Sequence, residues 1–220
     1  MPIPLIAGYP MPTRAQLSEQ TLRWRPDPRR AVLLIHDMQR YFVDRFPAGT
    51  APTVELVANV VHARRLARRH SLPVLYTAQP GRMSRADRGL LHDLWGPGMS
   101  DDPAEHAIIP ELTPGTGDEV VTKYRYSAFH RTDLADRIER LGRDQLIVCG
   151  VFAHIGCLLT ACDAYSRDIQ VFLVADAVAD FSLREHLMAL DYAARRCAVT
   201  LTTRELDSYI GAGRIISGPQ

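Results

Sequence analysis

The sequence predicts an α/β domain with a doubly wound, mainly parallel sheet and helices on both faces. Short apolar runs without polar alternation recur along the chain, and strands that are apolar on both faces belong to parallel sheets covered by helices. Segments of helical periodicity lie between these runs. Alternating strands and helices of this kind form a three-layer α/β/α sandwich, in which ligands bind beyond the carboxyl ends of the strands.

The predicted strands follow one another at intervals that leave room for a helix between most of them. They are residues 31–36 (AVLLIH), 72–78 (LPVLYTA), 118–123 (DEVVTK), 145–151 (QLIVCGV), 170–176 (QVFLVAD) and 198–203 (AVTLTT). Each run is short, and each is expected to be buried on both faces.

Two of the intervening segments have clear helical character. Residues 53–70 place apolar residues three and four apart with an arginine-rich opposite face, and residues 131–142 end in Gly142, where a helix C-cap is expected. Residues 79–116 contain proline and glycine and have little periodicity, so we expect this segment to cross over the sheet as a lid would.

Two polar pairs have the spacing of helix capping boxes. Ser182 precedes Glu185 by three residues, and Thr202 precedes Glu205 by three residues. We therefore interpret both pairs as helix starts and not as catalytic groups.

The composition excludes several classes of function. The 220 residues, with 46% hydrophobic and 23% charged, fit one domain over residues 1–220, and the formal net charge of +1 gives no basic surface for nucleic acid. The N-terminus lacks the features of a leader, and no run approaches the roughly 18 apolar residues of a membrane span. We expect a cytoplasmic protein without nucleic-acid or membrane partners.

The cysteines and the first strand argue against several cofactors. The four cysteines show no CxxC spacing, which disfavours a disulfide framework or a thiolate zinc site. A dinucleotide fold needs a glycine-rich turn after its first strand, whereas this chain has Asp37, Met38 and Gln39 there. We predict no nicotinamide or flavin cofactor.

Asp37 ends the first predicted strand and is followed closely by Tyr41 and Phe42. A carboxylate at the floor of a partly apolar cleft is a candidate acid or base, because burial favours its protonated form. An N-cap of the next helix is an equally good interpretation of Asp37 alone.

Lys123 ends the third predicted strand, at the same edge of the sheet as Asp37. It is either a surface lysine or the cation that holds an anion where an aromatic-rich loop begins. The two residues together are more informative than either one.

Three cysteines lie in the segment LIVCGVFAHIGCLLTACDAYSRDI, residues 146–169. Cys157 is the one placed near a helix start, where the helix dipole favours a thiolate. Cys149 lies within a strand and Cys162 well inside the helix, so both are assigned to the core. A small buried hydrophobe is the favoured alternative for Cys157 itself.

These motifs together resemble the isochorismatase group of the isochorismatase-like, or cysteine hydrolase, superfamily. The resemblance runs from about residue 4 to residue 205 and rests on AVLLIHDMQRYF, YTAQP, RGLLHDLWGPGM, TKYRYSAFHRTDL, CGVFAHIGC and VADAVADFS with the later EH. The group contains isochorismate hydrolases of catecholate siderophore synthesis and the phenazine-pathway hydrolase of 2-amino-2-deoxyisochorismate. The resemblance implies the same α/β fold, no cofactor and a small anionic substrate derived from chorismate.

The wider superfamily uses an Asp-Lys-Cys triad, and its nucleophile lies six positions after the glycine of a GVxxxxC turn. Counting from Gly150 leads to Gly156, with Cys157 one residue later and about 100° around the helix. The resemblance therefore implies that no cysteine attacks, and that Gly156 leaves room for the substrate ring or a water molecule.

A thiol is not needed if the bond that breaks is a vinyl ether. Protonation of the methylene carbon gives an oxocarbenium ion, water adds to it, and the hemiketal collapses to pyruvate and the ring alcohol. By resemblance, Asp37 is the general acid, and Lys123 orients it and holds the anionic substrate. Because Lys123 lowers the pKa of Asp37, we predict that the dicarboxylate substrate raises it again and that Asp37 gains its proton on binding.

The resemblance assigns further residues to the substrate. Gln79 and Arg88 contact a substrate carboxylate, and Arg88 can do so in a bidentate manner. Phe42 and Trp95 form apolar walls of the ring pocket. A solvated helix position for Arg88 and a core position for Trp95 are the alternatives.

The turn after the fourth strand departs from the family pattern. Relatives have Gly-Val-Tyr-Ala-His, whereas this chain has Phe152 at the tyrosine position. Loss of a donor to a charged group weakens binding by roughly 1.5 to 3 kcal/mol unless another donor replaces it. Either another donor compensates for Phe152 or the preferred substrate differs. His154 is predicted to be a structural histidine near this turn.

The resemblance also bears on metals and assembly. Nicotinamidase-like relatives bind a metal with one Asp and two His, but YTAQPGRMSRADRG contains no histidine, and His92 and His106 lack a ligand spacing. We predict no metal and, by inheritance from relatives, a homodimer. An end at Gln220 would leave no space for the carrier domain that some siderophore relatives append.

Three functions compete at this point. The leading one is hydrolysis of the enolpyruvyl ether of isochorismate or its 2-amino analogue. The second is an amidohydrolase that uses Cys157 after a local shift of the turn. The third is a non-catalytic protein that binds a chorismate-type ligand or docks a biosynthetic partner, an alternative that the Phe152 substitution keeps open.

Overall fold

A computed structural model describes residues 3–212 of the chain, so the ends of the predicted domain, residues 1–2 and 213–220, lie outside it. Its strands are β1 (Ala31–His36), β2 (Val74–Ala78), β3 (Glu119–Thr122), β4 (Gln145–Val151), β5 (Gln170–Ala179) and β6 (Ala198–Leu201). They form a six-stranded sheet in the order β3-β2-β1-β4-β5-β6 in which every neighbouring pair is parallel. The predicted doubly wound α/β fold is confirmed.

Helices fill the connections between the strands. They are α1 (Arg40–Val43), α2 (Thr53–Arg69), α3 (Arg85–Arg88), α4 (Leu91–Trp95), α5 (Pro103–His106), α6 (Leu134–Arg140), α7 (Leu158–Tyr165), α8 (Leu183–Arg196) and α9 (Thr203–Ala212). None of the helices in the described part of the chain is both long and apolar enough to cross a membrane.

The sheet separates two apolar cores. Side chains of α2 and α9 pack on one face, and those of α6, α7 and α8 pack on the other. Successive residues of β1 point to opposite faces: Leu33 and Ile35 join the first core, and Val32 and Leu34 join the second. This is why the central strands are apolar without alternation.

Two strands differ from their predicted form. β3 is one of the two edge strands, and its residues other than Val121 are exposed, so the prediction that every run is buried on both faces is wrong for this strand. β5 continues to Ala179, beyond the predicted end at residue 176, because its pairing with β4 shifts register between Val148 and Gly150.

The predicted helix ends are confirmed. Gly142 follows α6 in the left-handed region, with φ of 63°. The Ser182 hydroxyl accepts the backbone N–H of Glu185 at the start of α8, and the Thr202 hydroxyl accepts that of Glu205 at the start of α9.

The carboxyl ends of the parallel strands meet at one edge of the sheet. The strand order reverses between β1 and β4, and such a switch point opens a crevice at this edge. The segment of residues 79–116 passes over the edge as the short helices α3, α4 and α5 with a 3₁₀ turn at Pro110–Leu112. The fold thus places β1, β4 and this segment around one crevice.

Candidate active site

One cavity lies in this crevice, and the space between its lining residues, part of it open to solvent, is about 450 Å³. All of the residues predicted for the site line it, which brings together parts of the chain that are more than a hundred residues apart. They are Asp37, Phe42, Gln79, Arg88, Trp95, Lys123, Phe152 and Gly156.

Asp37 follows β1 directly and is 3% exposed. Its backbone lies in the left-handed region, with φ of 50°, a conformation that Asp adopts more readily than most residues. The Thr77 hydroxyl donates to Oδ1 at 2.5 Å and accepts the Asp37 N–H at 3.0 Å. The end of β2 therefore holds the carboxyl group of Asp37 on one side.

Lys123 holds the carboxyl group on the other side. Its Nζ lies 2.8 Å from Asp37 Oδ2 and donates to the Arg125 carbonyl at 2.7 Å, and Lys123 is 1% exposed. Burial by itself raises the pKa of Asp37, but the charge of Lys123 and the hydrogen bonds from Lys123 and Thr77 outweigh it and lower the pKa. Without substrate, Asp37 is a carboxylate at neutral pH.

Gln79 links this pair to Arg88. Gln79 Nε2 donates to Asp37 Oδ2 at 3.3 Å, and Arg88 Nη1 donates to Gln79 Oε1 at 3.2 Å. Arg88 also donates from Nε to the Gly96 carbonyl at 3.1 Å and is 5% exposed. A solvated helix position for Arg88 is therefore wrong, because its guanidinium is held inside the cavity wall.

The charges of the cavity favour an anion. Among the described residues that line it, Lys123 and Arg88 are cations and Asp37 is the one carboxylate. Two positive charges against one negative charge leave a local excess of positive charge in a partly desolvated space, where electrostatic interactions are strong. A ligand with two carboxylates would complement it.

Aromatic rings form an apolar wall of the cavity. The Phe152 ring lies 5.7 Å from Phe46 in a stacked arrangement, 5.9 Å from Phe42 edge to face, and 4.4 Å from Phe181. Trp95 packs against Phe181 at 5.9 Å. This wall can hold the apolar face of a six-membered ring.

The turn after β4 is built closely against β1. Gly150 has φ of 115°, and a Cβ there would lie 2.1 Å from the His36 carbonyl oxygen, so only glycine fits at this position. The Val151–Phe152 peptide bond is cis. The Cys157 N–H then donates to the Phe152 carbonyl at 3.1 Å, which forms one π-type turn over Ala153–Cys157 before α7.

Cys157 does not face the cavity. Its thiol is fully buried in the core between the sheet and α7, and burial raises its pKa well above the usual value. Cys157 directly precedes α7, but the helical backbone begins one turn earlier, at Ala153, so the thiol does not lie at the first exposed N–H groups of the helical segment. Neither exposure nor the helix dipole favours a thiolate there.

The structure corrects the expectation for Gly156. We expected its missing side chain to leave room for the substrate ring or water, yet a Cβ at Gly156 would lie 2.2 Å from Cε1 of His36. The His36 imidazole, fully buried, already occupies that space. Gly156 still contributes its backbone to the cavity wall.

His154 has the structural role that was predicted for it. Its Nδ1 lies 2.6 Å from Asp180 Oδ1, and its backbone N–H donates to Asp180 Oδ2 at 2.6 Å. Although burial lowers the pKa of His154, the hydrogen bond and charge of Asp180 outweigh burial and raise it. The pair fastens the turn after β4 to the end of β5.

Sequence reasoning missed His36, Tyr126 and Phe181. Each follows or ends a strand at the carboxyl edge, which is the signal that could have found them. Tyr126 lines the cavity, and its hydroxyl accepts a hydrogen bond from Trp95 Nε1 at 2.7 Å. Its own O–H proton is therefore available to a ligand.

Among the described residues, the cysteines, histidines, glutamates and other aspartates lie outside the cavity lining. Over residues 3–212, no group of three or more His, Cys, Asp or Glu side chains is placed to hold a metal ion. Cys149 is buried in β4, and the Sγ atoms of Cys162 and Cys197 lie 3.6 Å apart beside the second core. The absence of a metal and of a cofactor stays a prediction.

A buried Asp–Lys pair beneath a strand-to-helix turn, at the switch point of a parallel sheet, defines the class of isochorismatase-like hydrolases. The chain belongs to the isochorismatase family, because the family model described as the isochorismatase domain matches residues 31–205. The match covers β1 through the first turn of α9.

Curated relatives and solved structures agree with this assignment. The chain is 54% identical to an isochorismatase of Bacillus subtilis over 94% of this chain and 66% of that protein. It is 53% identical to phenazine biosynthesis protein PhzD1 of Pseudomonas aeruginosa over 93% of this chain and 98% of that one. It superposes on a cysteine hydrolase from Pseudomonas syringae with a TM-score of 0.79, at 25% identity, over 90% of this chain and 100% of that one.

Proposed function

We propose that the protein hydrolyses the enolpyruvyl ether of isochorismate or 2-amino-2-deoxyisochorismate. The products are pyruvate and a trans-dihydro-dihydroxybenzoate from isochorismate, or the corresponding amino-hydroxy compound from the amino substrate. The observation that carries the proposal is a buried carboxyl group paired with a lysine, in a cavity with excess positive charge and no accessible thiol. The relatives named isochorismatase and phenazine biosynthesis protein support the same substrate class.

The chemistry needs one acid and one water molecule. Protonated Asp37 delivers its proton to the methylene carbon of the enolpyruvyl group, and the π electrons of the double bond form the new C–H bond. The ether oxygen shares the positive charge as an oxocarbenium ion, which the restored carboxylate stabilises. Water adds to the cation and returns a proton, and the hemiketal breaks its C–O bond to release pyruvate and the ring alcohol.

Asp37 must gain a proton before it can act. In the free protein its pKa is lowered, so the carboxyl group is ionised at neutral pH. A dicarboxylate bound against Lys123 and Arg88 offsets their positive charge and raises the pKa of Asp37 again. The proton then arrives with the substrate, a step that stays a proposal.

Pyruvate release tests the proposed function directly. Each substrate is incubated with the purified protein, and pyruvate is measured by coupling to lactate dehydrogenase. We expect turnover with one or both substrates, and chorismate, which carries its hydroxyl group on a different ring carbon, is the comparison substrate. Folded protein that releases no pyruvate from either substrate would contradict the proposal. Titration of that protein with the same substrates would then show whether it only binds them.

Replacement of Cys157 separates this mechanism from that of a cysteine amidohydrolase. Because the thiol is buried away from the cavity, Cys157→Ala should keep kcat/KM within about twofold of the wild type, as for other residues that do not touch the reaction. Cys149→Ala is the matched control, since it removes an equally buried thiol. A folded Cys157→Ala protein without activity, or an adduct on the thiol during turnover, would restore the amidohydrolase alternative.

The Phe152 position leaves the choice between the two substrates open. Phe152 presents an apolar ring to the cavity, and Tyr126 presents a hydroxyl group to the same space. Tyr126 is the donor that could replace the phenol of the family turn, and we propose it for that role. The ratio of kcat/KM for the two substrates in the pyruvate assay measures the preference.

Localisation and assembly belong to the same proposal. The relatives are proteins of small-molecule biosynthesis, including a component of enterobactin synthase in Escherichia coli that is 46% identical over 94% of this chain. We propose a single catalytic domain over residues 1–220 that acts in the cytoplasm as a homodimer.

A further inference from the structure

His36 lies at the end of β1, directly before the catalytic candidate Asp37, and it is fully buried. We propose that His36 and Gly156 form an interlocked pair in which the imidazole fills the place of the missing nucleophile and holds the acid in position. The positioning part of this proposal rests on the proposed function, because it takes Asp37 as the acid. The interlock itself rests on space and hydrogen bonds.

The space for a side chain at Gly156 is taken by the His36 ring. A Cβ there would lie 2.2 Å from Cε1 and 3.0 Å from both ring nitrogens. Carbon atoms in contact lie about 3.5 to 4.0 Å apart, so any side chain at Gly156 requires the ring to move by about 1 Å or more. A thiol could not be restored at this position without a smaller residue in place of His36.

The ring cannot move freely, because hydrogen bonds hold it from several segments. His36 Nδ1 donates to the Val151 carbonyl at 2.9 Å, which assigns the ring proton to Nδ1. Nε2 then accepts from the Thr160 hydroxyl at 3.4 Å, and Thr160 Oγ1 accepts the Ala128 N–H at 2.9 Å. His36 thus joins β1 to the turn after β4, to α7 and to the loop after Lys123.

The imidazole also shapes the surroundings of the acid. Its Nδ1 lies 3.7 Å from Asp37 Oδ2, close enough that a charged ring would compete with Lys123 for the carboxylate. Burial lowers the pKa of His36 to about 4, so the ring is neutral at neutral pH. A neutral ring fixes the backbone of Asp37 without adding a second positive charge beside it.

A double-mutant cycle between the two positions tests the interlock without reference to activity. In the wild type, Gly156→Ala should lower Tm by about 3 to 10 °C, because the added methyl group overpacks the ring. In His36→Ala, where the ring is absent, the same change should be nearly neutral, with a Tm shift within about 2 °C. Gly211→Ala on α9 is the control, since nothing lies within 4 Å of its added Cβ.

The Tm values of these variants show whether the ring and the added methyl group compete for the same space. A folded double variant supports it even if Gly156→Ala alone does not fold. Equal destabilisation in both backgrounds overturns it. Should His36→Ala be too unstable, His36→Asn is a second background with a shorter side chain, to which the same criteria apply.

Turnover tests the positioning role separately. His36→Asn keeps an N–H near the position of Nδ1 and should keep kcat within about tenfold of the wild type. His36→Leu fills the space without a donor and should lower kcat by about 100-fold with little change in KM, the effect of an acid displaced by about 1 Å. A His36→Leu protein with wild-type kcat would overturn the positioning role. If the wild type itself releases no pyruvate, the proposed function fails while the Tm cycle still decides the interlock.

Discussion

Asp37→Asn is expected to lower kcat by about two to four orders of magnitude, the usual contribution of a general acid, with KM changed by less than about tenfold. The amide has nearly the volume of the carboxylic acid, but it cannot deliver a proton to carbon. The loss should therefore appear in the chemical step. Pyruvate release under saturating substrate measures it.

The surroundings of Asp37 make asparagine a suitable replacement. Thr77, Gln79 and Lys123 all donate to the carboxyl oxygens in the free protein. The amide oxygen can face Lys123, and the amide nitrogen can face the Thr77 hydroxyl oxygen. Lys123 loses its counter-charge but keeps a hydrogen-bond acceptor, so the variant should fold with a lower Tm, and its loss of activity should come from the missing proton.

A carboxylate outside the cavity provides the control for this prediction. Asp44 is exposed just after α1, so Asp44→Asn removes one negative charge without touching the site. It should leave kcat unchanged. Full activity in Asp37→Asn would contradict the acid mechanism and, with it, the reason why no thiol is needed.

The central strands could be predicted because burial on both faces demands continuous apolar residues. Residues 31–36 and 145–151 were predicted with the bounds that β1 and β4 have. β3 was harder, because an edge strand is buried on one side and its sequence carries less of the apolar signal. The bounds of β5 depend on a register shift against β4, which no local pattern shows.

The polar part of the site could be predicted because it follows strand ends. Asp37 follows β1 and Lys123 follows β3, and the parallel sheet brings both to one edge. The family resemblance added Gln79 and Arg88, but the hydrogen bond between them and the one from Gln79 to Asp37 were not predicted.

The interior of the site could not be predicted, because it depends on contacts across the sheet. His36 and Gly156 are 120 residues apart, and only the packing of β1 against the turn after β4 shows that the ring fills the space of the missing side chain. Tyr126 likewise enters the cavity through a loop whose path the sequence does not specify.

Lys123 is the only lysine in the sequence, and the other 25 basic residues are arginines. A fully buried site favours the compact ammonium group, since Nζ contacts Asp37 at 2.8 Å and the Arg125 carbonyl at 2.7 Å. The planar guanidinium group is larger and presents its donors in a fixed fork. Chance use of lysine at this one position is a weaker explanation than the size of the space.

We therefore expect Lys123→Met to have the second large effect on activity. It should raise KM and change how kcat/KM depends on pH. Loss of the ammonium group removes a charged contact to the substrate, which should raise KM by about 10- to 100-fold. Burial then acts on the pKa of Asp37 without Lys123 to oppose it, so the pKa rises and the carboxyl group of the free protein keeps its proton to a higher pH than in the wild type.

The two proteins should differ in how kcat/KM depends on pH. In the wild type, the lowered pKa of Asp37 means that kcat/KM falls about tenfold per pH unit as the pH rises above it, while kcat, which reports the complex, stays level to higher pH. In Lys123→Met, the level region of kcat/KM should extend to higher pH. An unchanged profile would contradict the coupling of Lys123 to the acid.

The shift in the pKa of Asp37 should also change how the stability of the folded protein depends on pH. A carboxyl group with a lowered pKa stabilises the folded wild type above its unfolded pKa, and this contribution is lost as the pH falls through the lowered value. In Lys123→Met the raised pKa reverses the sign, so the loss of Tm relative to the wild type should grow as the pH rises. Where the pH is high enough to ionise Asp37 in Lys123→Met, the unpaired buried charge costs about 3 to 5 kcal/mol. Lys123→Met combined with Asp37→Asn removes both charged groups of the pair, so the loss of Tm that grows with pH in Lys123→Met should be absent.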